Sequence, residues 1–315
     1  MYGVYIEHPR PLRATPLLVD CGGVGSILAE HLARLGVGHL VLVDFDRLEE
    51  ANFNRAQGAE WMDVHQKRLK TKVAERVAHQ SASADGFDTT VVDGSVVEEE
   101  PAYAAVPALL DCDLIMAGVD AARPRKVLDH LARAHCIPVI DGGSKLHAKA
   151  NDELLPEAKV ETAVSGPGWP CFECQRVWKR EDVEFERDHP EFRGDRDYID
   201  GGVDPDDEDR SPSVIGVNAQ VAGLMQRRFM AITLGVAHSV VGTFRMKLLT
   251  GETNWTSRFG CESDCSPPPV AAGDQHALPT GTGWSMRYER DDIPMPEPQV
   301  ADGAADLLND DLVDK

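Results

Sequence analysis

The chain has 315 residues, enough for one large or two modest domains with a substantial core. Its formal net charge of −21 at pH 7 argues against a nucleic-acid-binding surface, because phosphate backbones are met by Lys/Arg stripes. No apolar run approaches the roughly 18–20 residues of a membrane span, and the N-terminus carries no signal-peptide pattern. We therefore expect a cytoplasmic protein that binds neither nucleic acid nor a membrane.

The first half of the chain alternates strand-like and helix-like segments. Apolar runs predict strands over 17–19, 40–46, 89–93, 113–119 and 137–140, and helical periodicity predicts helices over 26–35, 70–78 and 122–135. This alternation predicts an α/β fold with a doubly wound, Rossmann-like and mostly parallel sheet.

The second half has a different character. Residues 179–213 are dense in charge and Gly and predict an exposed acidic loop, whereas 214–234 predict a helix and 240–249 paired strands. We assign 1–268 to one domain with this added C-terminal strand and helix region. The Pro-, Gly- and Asp-rich tail, 269–315, is predicted to be disordered, with a short helix possible over 300–313.

A glycine turn follows the first predicted strand. Gly22, Gly23 and Gly25 let the backbone approach a phosphate at a helix N-terminus, where free N–H groups favour anions. Ligands of such sheets bind outside the carboxyl ends of the strands. We therefore expect the acidic residues at those ends to converge on one edge of the sheet; they are Asp20, Asp44, Asp46 and Asp120.

Four of the seven cysteines form two closely spaced pairs. Cys171 and Cys174 are separated by two residues, and Cys261 and Cys265 by three. Four thiolates in two such pairs are typical of a tetrahedral structural zinc site. The other cysteines, Cys21, Cys112 and Cys136, are predicted to be packed small residues.

These motifs, in this order, resemble the ThiF/MoeB/HesA superfamily, the adenylating core shared with ubiquitin-activating enzymes. The resemblance is carried by the Asp44–Arg55 segment, by Lys72, and by Gly118–Asp120 followed by Arg123 and Arg125. It covers most of the chain up to about Pro268.

The resemblance implies a role for each matching residue. Asp44 would bind the ribose with Asp46 beside it, and Asn52 and Arg55 would reach the triphosphate. Lys72 would neutralise phosphate charge, with Lys70 as a neighbouring candidate. Asp120 would hold magnesium. Arg55, Lys72 and Asp120 are thus the expected catalytic residues.

The resemblance also implies ATP, Mg²⁺ and Zn²⁺ as cofactors and a homodimer as the assembly. The implied reaction is adenylation of the C-terminal carboxylate of a ubiquitin-like (β-grasp) protein or peptide. Residues 179–213 correspond to the place where thioester-forming relatives carry their catalytic cysteine, and they contain none. We therefore expect no enzyme-linked thioester.

Two departures from the family pattern keep alternatives open. Asp20 stands where the family has its first glycine, and only Arg10 and Arg13 are near enough to replace an N-terminal arginine that relatives take from the other subunit. One alternative is a non-catalytic binding module, which Asp20 favours. Another is a nicotinamide-dependent oxidoreductase, which shares the glycine turn and Asp44 but does not require Arg55, Lys72 or Asp120.

Overall fold

The computed structural model describes residues 14–97, 109, 111–147, 157–166, 168–189, 214–234, 242–248, 250–256, 261 and 265. The chain divides into two units, Met1–Trp284 and Ser285–Lys315. All of the described residues belong to the first unit. Within them, no helix has the length and apolar character needed to cross a membrane. The predicted tail, the proposed short helix over 300–313, Arg10 and Arg13 lie outside the described residues.

The described elements follow one another along the chain in a regular alternation through the first half. They are β1 (Pro16–Val19), α1 (Gly25–Arg34), β2 (His39–Val43), a 3₁₀ turn (Glu50–Asn52), α2 (Trp61–His65), α3 (Lys70–Ser81), β3 (Asp88–Val92), β4 (Leu114–Ala117) and α4 (Ala122–His135). The second half adds β5 (Val139–His147), β6 (Glu157–Ser165), α5 (Arg180–Asp188), α6 (Ile215–Thr233), β7 (Thr243–Lys247) and β8 (Thr253–Thr256).

The eight described strands form one sheet in the order β3-β2-β1-β4-β5-β6-β7-β8. Strands β3, β2, β1, β4 and β5 are parallel, and β5 to β8 pair antiparallel. The chain direction from β1 runs outward to β3 and then back across β1 to β4. This reversal is the switch point at which ligands bind in such sheets. The predicted α/β, Rossmann-like and mostly parallel sheet is confirmed.

Both faces of the sheet are covered. Leu18, Leu42, Met116 and Ile140 pack with α1, α3 and α6 in one apolar cluster. Strand residues whose side chains point to the opposite face of the sheet, such as Leu17, are also fully buried. Helix α4 packs against β4, β5 and β6. Strands covered on both faces read as continuous apolar runs, which is why the first strands were predictable from the sequence.

The structure departs from the sequence prediction in the second half. The described part of the predicted loop over 179–213 contains the helix α5, in which Val183 is buried, while 190–213 lie outside the described residues. Strands β6 and β8 were not predicted, because their residues are half polar and their places are set by pairing with β5 and β7. Cys21 and Cys112 are buried as predicted, but Cys136 is exposed in a left-handed conformation that ends α4.

Candidate functional site

A cavity of about 290 Å³ opens at the carboxyl ends of β1, β2 and β4 and extends along β5 and β6. Most of the residues predicted from the sequence line it. They are Asp20, Gly22, Gly23, Asp46, Asn52, Arg55 and Asp120. Of the four aspartates expected to converge on one edge of the sheet, all but Asp44 therefore line the cavity. Among the other predicted site residues, Gly25 and Lys72 do not line it.

The glycine turn joins β1 to α1 and forms the floor of the cavity. Asp20 has φ +73°, a left-handed conformation that few non-glycine residues adopt, and its Oδ1 accepts the Gly22 N–H at 3.1 Å. A Cβ on Gly25 would lie 1.8 Å from the Asp20 carbonyl oxygen. A Cβ on Gly23 would lie 2.3 Å from Asn218 Nδ2. Gly25 is thus required by backbone packing, and Gly23 by the close approach of α6.

Asp44 lies behind the turn and does not line the cavity. Its side chain is buried, and its two oxygens accept backbone N–H groups of Cys21 and Asp46, each at 2.8 Å. These bonds fix the glycine turn against the end of β2. Asp46, two residues later, is half exposed and lines the cavity. Of these two carboxylates, Asp46 is therefore the one that faces the cavity, and Asp44 holds the loop that carries it.

Two lysines at the start of α3 have different surroundings. Lys70 lines the cavity, and its Nζ lies 2.8 Å from Asp46 Oδ2 with only 12% of the side chain exposed. The backbone N–H of Lys70 donates to the Asp46 carbonyl at 2.9 Å, which fastens the start of α3 beside β2. Lys72 points away, is 48% exposed, and pairs with Glu75 at 2.9 Å. The structure therefore brings the alternative candidate, Lys70, to the site and leaves Lys72 outside it.

Asn52 and Arg55 approach the cavity from the segment that follows β2. Asn52 ends the 3₁₀ turn, and its Oδ1 accepts the Glu49 N–H at 3.2 Å. The Arg55 guanidinium donates to the Ala51 carbonyl at 2.8 Å, and its other N–H groups have no hydrogen-bond partner among the described residues, so they are available to a ligand. A guanidinium held in this way suits recognition of phosphate oxygens.

The charges around the turn influence one another. Burial raises the pKa of Asp20 well above its ordinary value, and the neighbouring Asp44 and Asp120 carboxylates raise it further against the opposing charge of Lys70. Burial lowers the pKa of Lys70, but Asp20, Asp44 and Asp46 outweigh it and raise that pKa above its ordinary value. One ammonium thus balances several carboxylates at this end of the cavity.

Asp120 follows β4, is exposed, and lines the cavity as predicted. Its oxygens have the chemistry that Mg²⁺ prefers. In the described part of the chain, no three carboxylates are close enough together to hold a cation unaided. Mg²⁺ is commonly held by one or two carboxylates together with substrate phosphates, and the residues present fit that mode of binding.

The sequence reasoning missed the groups that β5, β6 and α6 bring to the cavity. Buried Asp141 pairs with Arg125 Nε at 3.2 Å, and burial raises the pKa of Asp141 to about 6 despite that guanidinium. Buried Asn218, on the first turns of α6, accepts the Ser144 hydroxyl at 3.2 Å. Asp141 directly follows a predicted strand, so the strand-end rule could have found it.

A second set of missed residues closes the cavity beyond β4. It comes from β6 and from the segment after Cys174, which had no strand or helix signal: Lys159, Glu161, Arg176, Val177, Trp178, Lys179 and Asp182.

The four predicted cysteines meet in space. Their Sγ atoms all lie within 4.8 Å of one another, and the Cys171 N–H points at Cys261 Sγ at 3.2 Å. Tetrahedral zinc with Zn–S bonds of about 2.3 Å sets its sulfurs roughly 3.8 Å apart. The cluster therefore fits a structural zinc ion that leaves no position open for substrate.

A buried aspartate supports the cysteine segment. Asp129 of α4 accepts the Ser165 hydroxyl at 2.6 Å, the Phe172 N–H at 2.9 Å and the Trp178 indole N–H at 3.3 Å. These bonds tie the segment on both sides of Cys174 to α4. The cysteine cluster and the cavity thus share one support.

Comparison with known proteins agrees with this architecture. The ThiF family profile matches residues 10–262. Ubiquitin-like modifier-activating enzyme 5 of Caenorhabditis elegans is 47% identical over 53 residues, which are 17% of this chain and 13% of that protein. The chain thus aligns with far less than two thirds of that relative's length.

Solved structures extend the likeness over most of the chain. E. coli MccB with ATP superposes with a TM-score of 0.59 at 17% identity, covering 83% of this chain and 68% of that chain. The microcin C7 biosynthetic enzyme MccB in complex with N-formylated MccA gives a TM-score of 0.57 at 18% identity, covering 82% and 67%. At these identities the likeness shows the fold alone.

Proposed function

The chain belongs to the ThiF family, and we propose that it is an adenylyltransferase that uses ATP and Mg²⁺ to activate a substrate carboxylate as an acyl-adenylate. One observation supports this proposal: a glycine turn, a first carboxylate, two cations and a second carboxylate line the same cavity. In order, these are the turn at Gly22, then Asp46, Arg55 and Lys70, and Asp120. A nicotinamide oxidoreductase has no need of the last three groups.

The reaction determines what these side chains do. An oxygen of the acyl carboxylate forms a bond to the α-phosphorus of ATP, and the bond from that phosphorus to the bridging oxygen breaks and releases pyrophosphate. Charge grows on the departing oxygen, so Arg55 and Lys70 would stabilise the transition state by donating to phosphate oxygens. Asp46 would orient the ribose. When bound by Asp120, Mg²⁺ would supply further positive charge at the phosphates.

The acyl substrate in this proposal is a ubiquitin-like protein or a peptide with a free C-terminus. The relative in C. elegans is a ubiquitin-like modifier-activating enzyme, and the solved MccB structure is a complex with N-formylated MccA. We include a homodimer, a cytoplasmic location and a structural zinc at Cys171, Cys174, Cys261 and Cys265 in the same proposal.

No enzyme-linked thioester is part of the proposal. Cys21 and Cys112 are buried, the four clustered cysteines face one another, and Cys136 is exposed at the end of α4 without lining the cavity. Together these positions leave the described cavity without a thiol placed to attack an acyl-adenylate. The activated acyl group would instead pass to an external nucleophile.

MgATP binding and ATP–pyrophosphate exchange test the proposal. We expect wild-type protein to bind MgATP and to catalyse exchange once a peptide or ubiquitin-like protein with an acceptable C-terminus is supplied. Arg55→Ala and Lys70→Ala should each reduce exchange on the order of 10²–10³-fold, as deletion of a single transition-state donor does. Lys72→Ala is the matched control and should retain exchange, because Lys72 faces away from the cavity.

Different failures of this experiment have different meanings. Folded, zinc-containing protein that binds no MgATP, or that binds NADH tightly instead, would overturn the proposed function. Loss of exchange in Lys72→Ala with retention in Lys70→Ala would overturn only the assignment of the lysine.

A second candidate function is a degenerate member that docks a partner without using ATP. The contact that favours it is the one between Asp20 Oδ1 and the Gly22 N–H, because a carboxylate there occupies a donor that a phosphate would use. Partner binding that is indifferent to MgATP would support this candidate.

A further inference from the structure

The residues that line the cavity form two walls. On one wall lie the glycine turn and the groups assigned above to the nucleotide, at the ends of β2, β1 and β4. The other wall is formed by β5, β6 and the segment after Cys174. Neighbouring strands are about 4.8 Å apart, so β2 and β6, four positions apart in the sheet, are separated by roughly 19 Å. The cavity is therefore long enough to hold a nucleotide and part of a second substrate side by side.

Two cations of the second wall have no acidic partner among the residues that the structure describes. Arg176 and Lys179, which we call the rim cations, are exposed and line the cavity, and neither forms an ion pair with any described residue. The described residues of this wall also include three carboxylates. Asp141 pairs with Arg125 at 3.2 Å, Glu161 binds Arg245 through two bonds of 2.7 and 2.8 Å, and Asp182 lies on the first turn of α5. Arg125 and Arg245 therefore neutralise two of the three carboxylates, and the cations of this wall, Lys159, Arg176 and Lys179, outnumber the remaining one.

The backbone beneath the rim cations is firmly held. Arg176 has φ +58°, a left-handed conformation unfavourable for a residue with a side chain. The preceding Gln175 is buried, and its amide donates to the carbonyls of Val164 at 2.8 Å and Pro170 at 2.7 Å. The following Trp178 is anchored to α4 through Asp129. These contacts hold Arg176 in an unfavourable backbone conformation, and in this conformation its guanidinium lies at the cavity.

We propose that the rim cations form an acyl-substrate subsite that selects a C-terminal segment carrying acidic side chains. This inference rests on the proposed adenylation and names its substrate class. Under the proposed function ATP would meet Arg55 and Lys70 on the other wall, which leaves the rim cations free to bind the second substrate. An acidic peptide entering over Arg176 and Lys179 would gain two ion pairs while its terminal carboxylate reaches the α-phosphate.

Short peptides test this proposal directly. One probe is a fluorescein-labelled peptide that ends in a free glycine carboxylate and carries aspartates upstream; the second has asparagine at each of those positions. Fluorescence anisotropy would be measured in the presence of Mg²⁺ and an ATP analogue with a non-hydrolysable α,β bond. We expect the acidic peptide to bind about threefold to tenfold more tightly, the size of two partly exposed ion pairs.

Charge reversal provides the second arm. R176E/K179E should abolish or reverse the preference for the acidic peptide and leave the Kd for MgATP unchanged. The control R187E/R227E makes the same change in charge at two exposed positions outside the cavity and should keep the preference. The single variant K179E leaves the left-handed position at Arg176 unchanged, so it still tests the proposal if R176E/K179E misfolds. It should remove part of the preference for the acidic peptide.

The possible outcomes separate the inference from the proposed function. Equal binding of the two peptides, or binding of neither, overturns the acidic subsite even when MgATP binds normally. A weaker Kd for MgATP in R176E/K179E also overturns it, because the rim cations would then serve the nucleotide. Wild-type protein that binds no MgATP overturns the adenylation proposal itself.

Discussion

Asp44 and Asp46 carry the same side chain two positions apart, yet their surroundings give them different tasks. Asp44 accepts two backbone N–H groups from inside the fold, whereas Asp46 reaches the cavity and pairs with Lys70. Lys70 and Lys72 differ in the same manner. Residues two apart on a helix lie on different faces, so only one lysine can face β2. Which of two identical side chains reaches the cavity therefore depends on the contacts that position the backbone.

Asp20 makes nucleotide binding depend on pH in a predictable direction. Its raised pKa means that the carboxyl gains a proton as the pH falls, and the protonated group no longer repels phosphate. The affinity of wild-type protein for MgATP should therefore increase as the pH falls. Asp20→Asn, in which the asparagine tolerates a left-handed φ, should bind MgATP about tenfold or more tightly than wild type at the alkaline end of the titration, and its affinity should respond less to pH. A tenfold effect corresponds to about 1.4 kcal/mol, well within the roughly 4 kcal/mol by which like charges about 4 Å apart repel at an effective dielectric of about 20.

Isothermal titration calorimetry at each pH measures this effect, with Asp85→Asn as a control that removes an exposed carboxylate elsewhere. Weaker binding by Asp20→Asn would contradict the prediction and show that the carboxylate supports the bound nucleotide.

At the scale of elements, α5 acts on the site through another helix. Glu186 of α5 accepts the N–H groups of Ala122 and Arg123, each at 2.7 Å, and so caps the start of α4 directly after Asp120. The segment of α4 itself provides no side-chain cap. A helix within a segment that looked irregular in sequence thus fixes the loop that presents the predicted magnesium ligand.

Glu186→Ala should therefore lower the free energy of unfolding by about 0.5–2 kcal/mol, the usual cost of losing an N-cap acceptor. It should also weaken the dependence of MgATP binding on Mg²⁺ concentration, because Asp120 would be less well positioned. Glu184→Ala, an exposed glutamate on the same helix, is the control. Chemical denaturation and titrations at several Mg²⁺ concentrations measure the two effects, and identical behaviour of both variants would refute the capping role.

At the scale of the whole molecule, the cysteine cluster joins distant parts of the chain. Cys171 and Cys174 follow β6, whereas Cys261 and Cys265 come after β8, so α6 and the β7–β8 pair lie between the two pairs in sequence. A metal held by all four thiolates would close that long loop. It would also steady the segment that carries the rim cations, because Arg176 follows Cys174 by two residues.

We predict about one zinc ion per chain by elemental analysis of purified protein. Cys171→Ser or Cys261→Ser should remove it and lower the midpoint of thermal unfolding, because a bound metal stabilises only the folded site. Cys136→Ser is the matched control, since that thiol is exposed and outside the cluster. Unchanged zinc content in Cys261→Ser would show that the four cysteines do not bind one ion.

The sequence by itself determined the features that are encoded locally or by fixed spacing. Buried parallel strands read as apolar runs, glycines mark a turn that a Cβ would block, and the short spacing of the cysteine pairs indicates shared ligation. The parallel sheet, the glycine turn and the candidate residues Arg55 and Asp120 could be predicted for these reasons.

Only the tertiary structure decided which of several equivalent residues faces the cavity. The backbone bond from Lys70 to Asp46 places Lys70, and not Lys72, at the cavity. The bonds that Asp44 accepts hold it behind the glycine turn. The packing of α6 on Gly23 places Asn218 at the cavity. The part of the second wall that carries Arg176 and Lys179 is held by bonds from Gln175 to Val164 of β6 and from Trp178 to Asp129 of α4. Most of these contacts join residues of different elements, so no local sequence pattern predicts them.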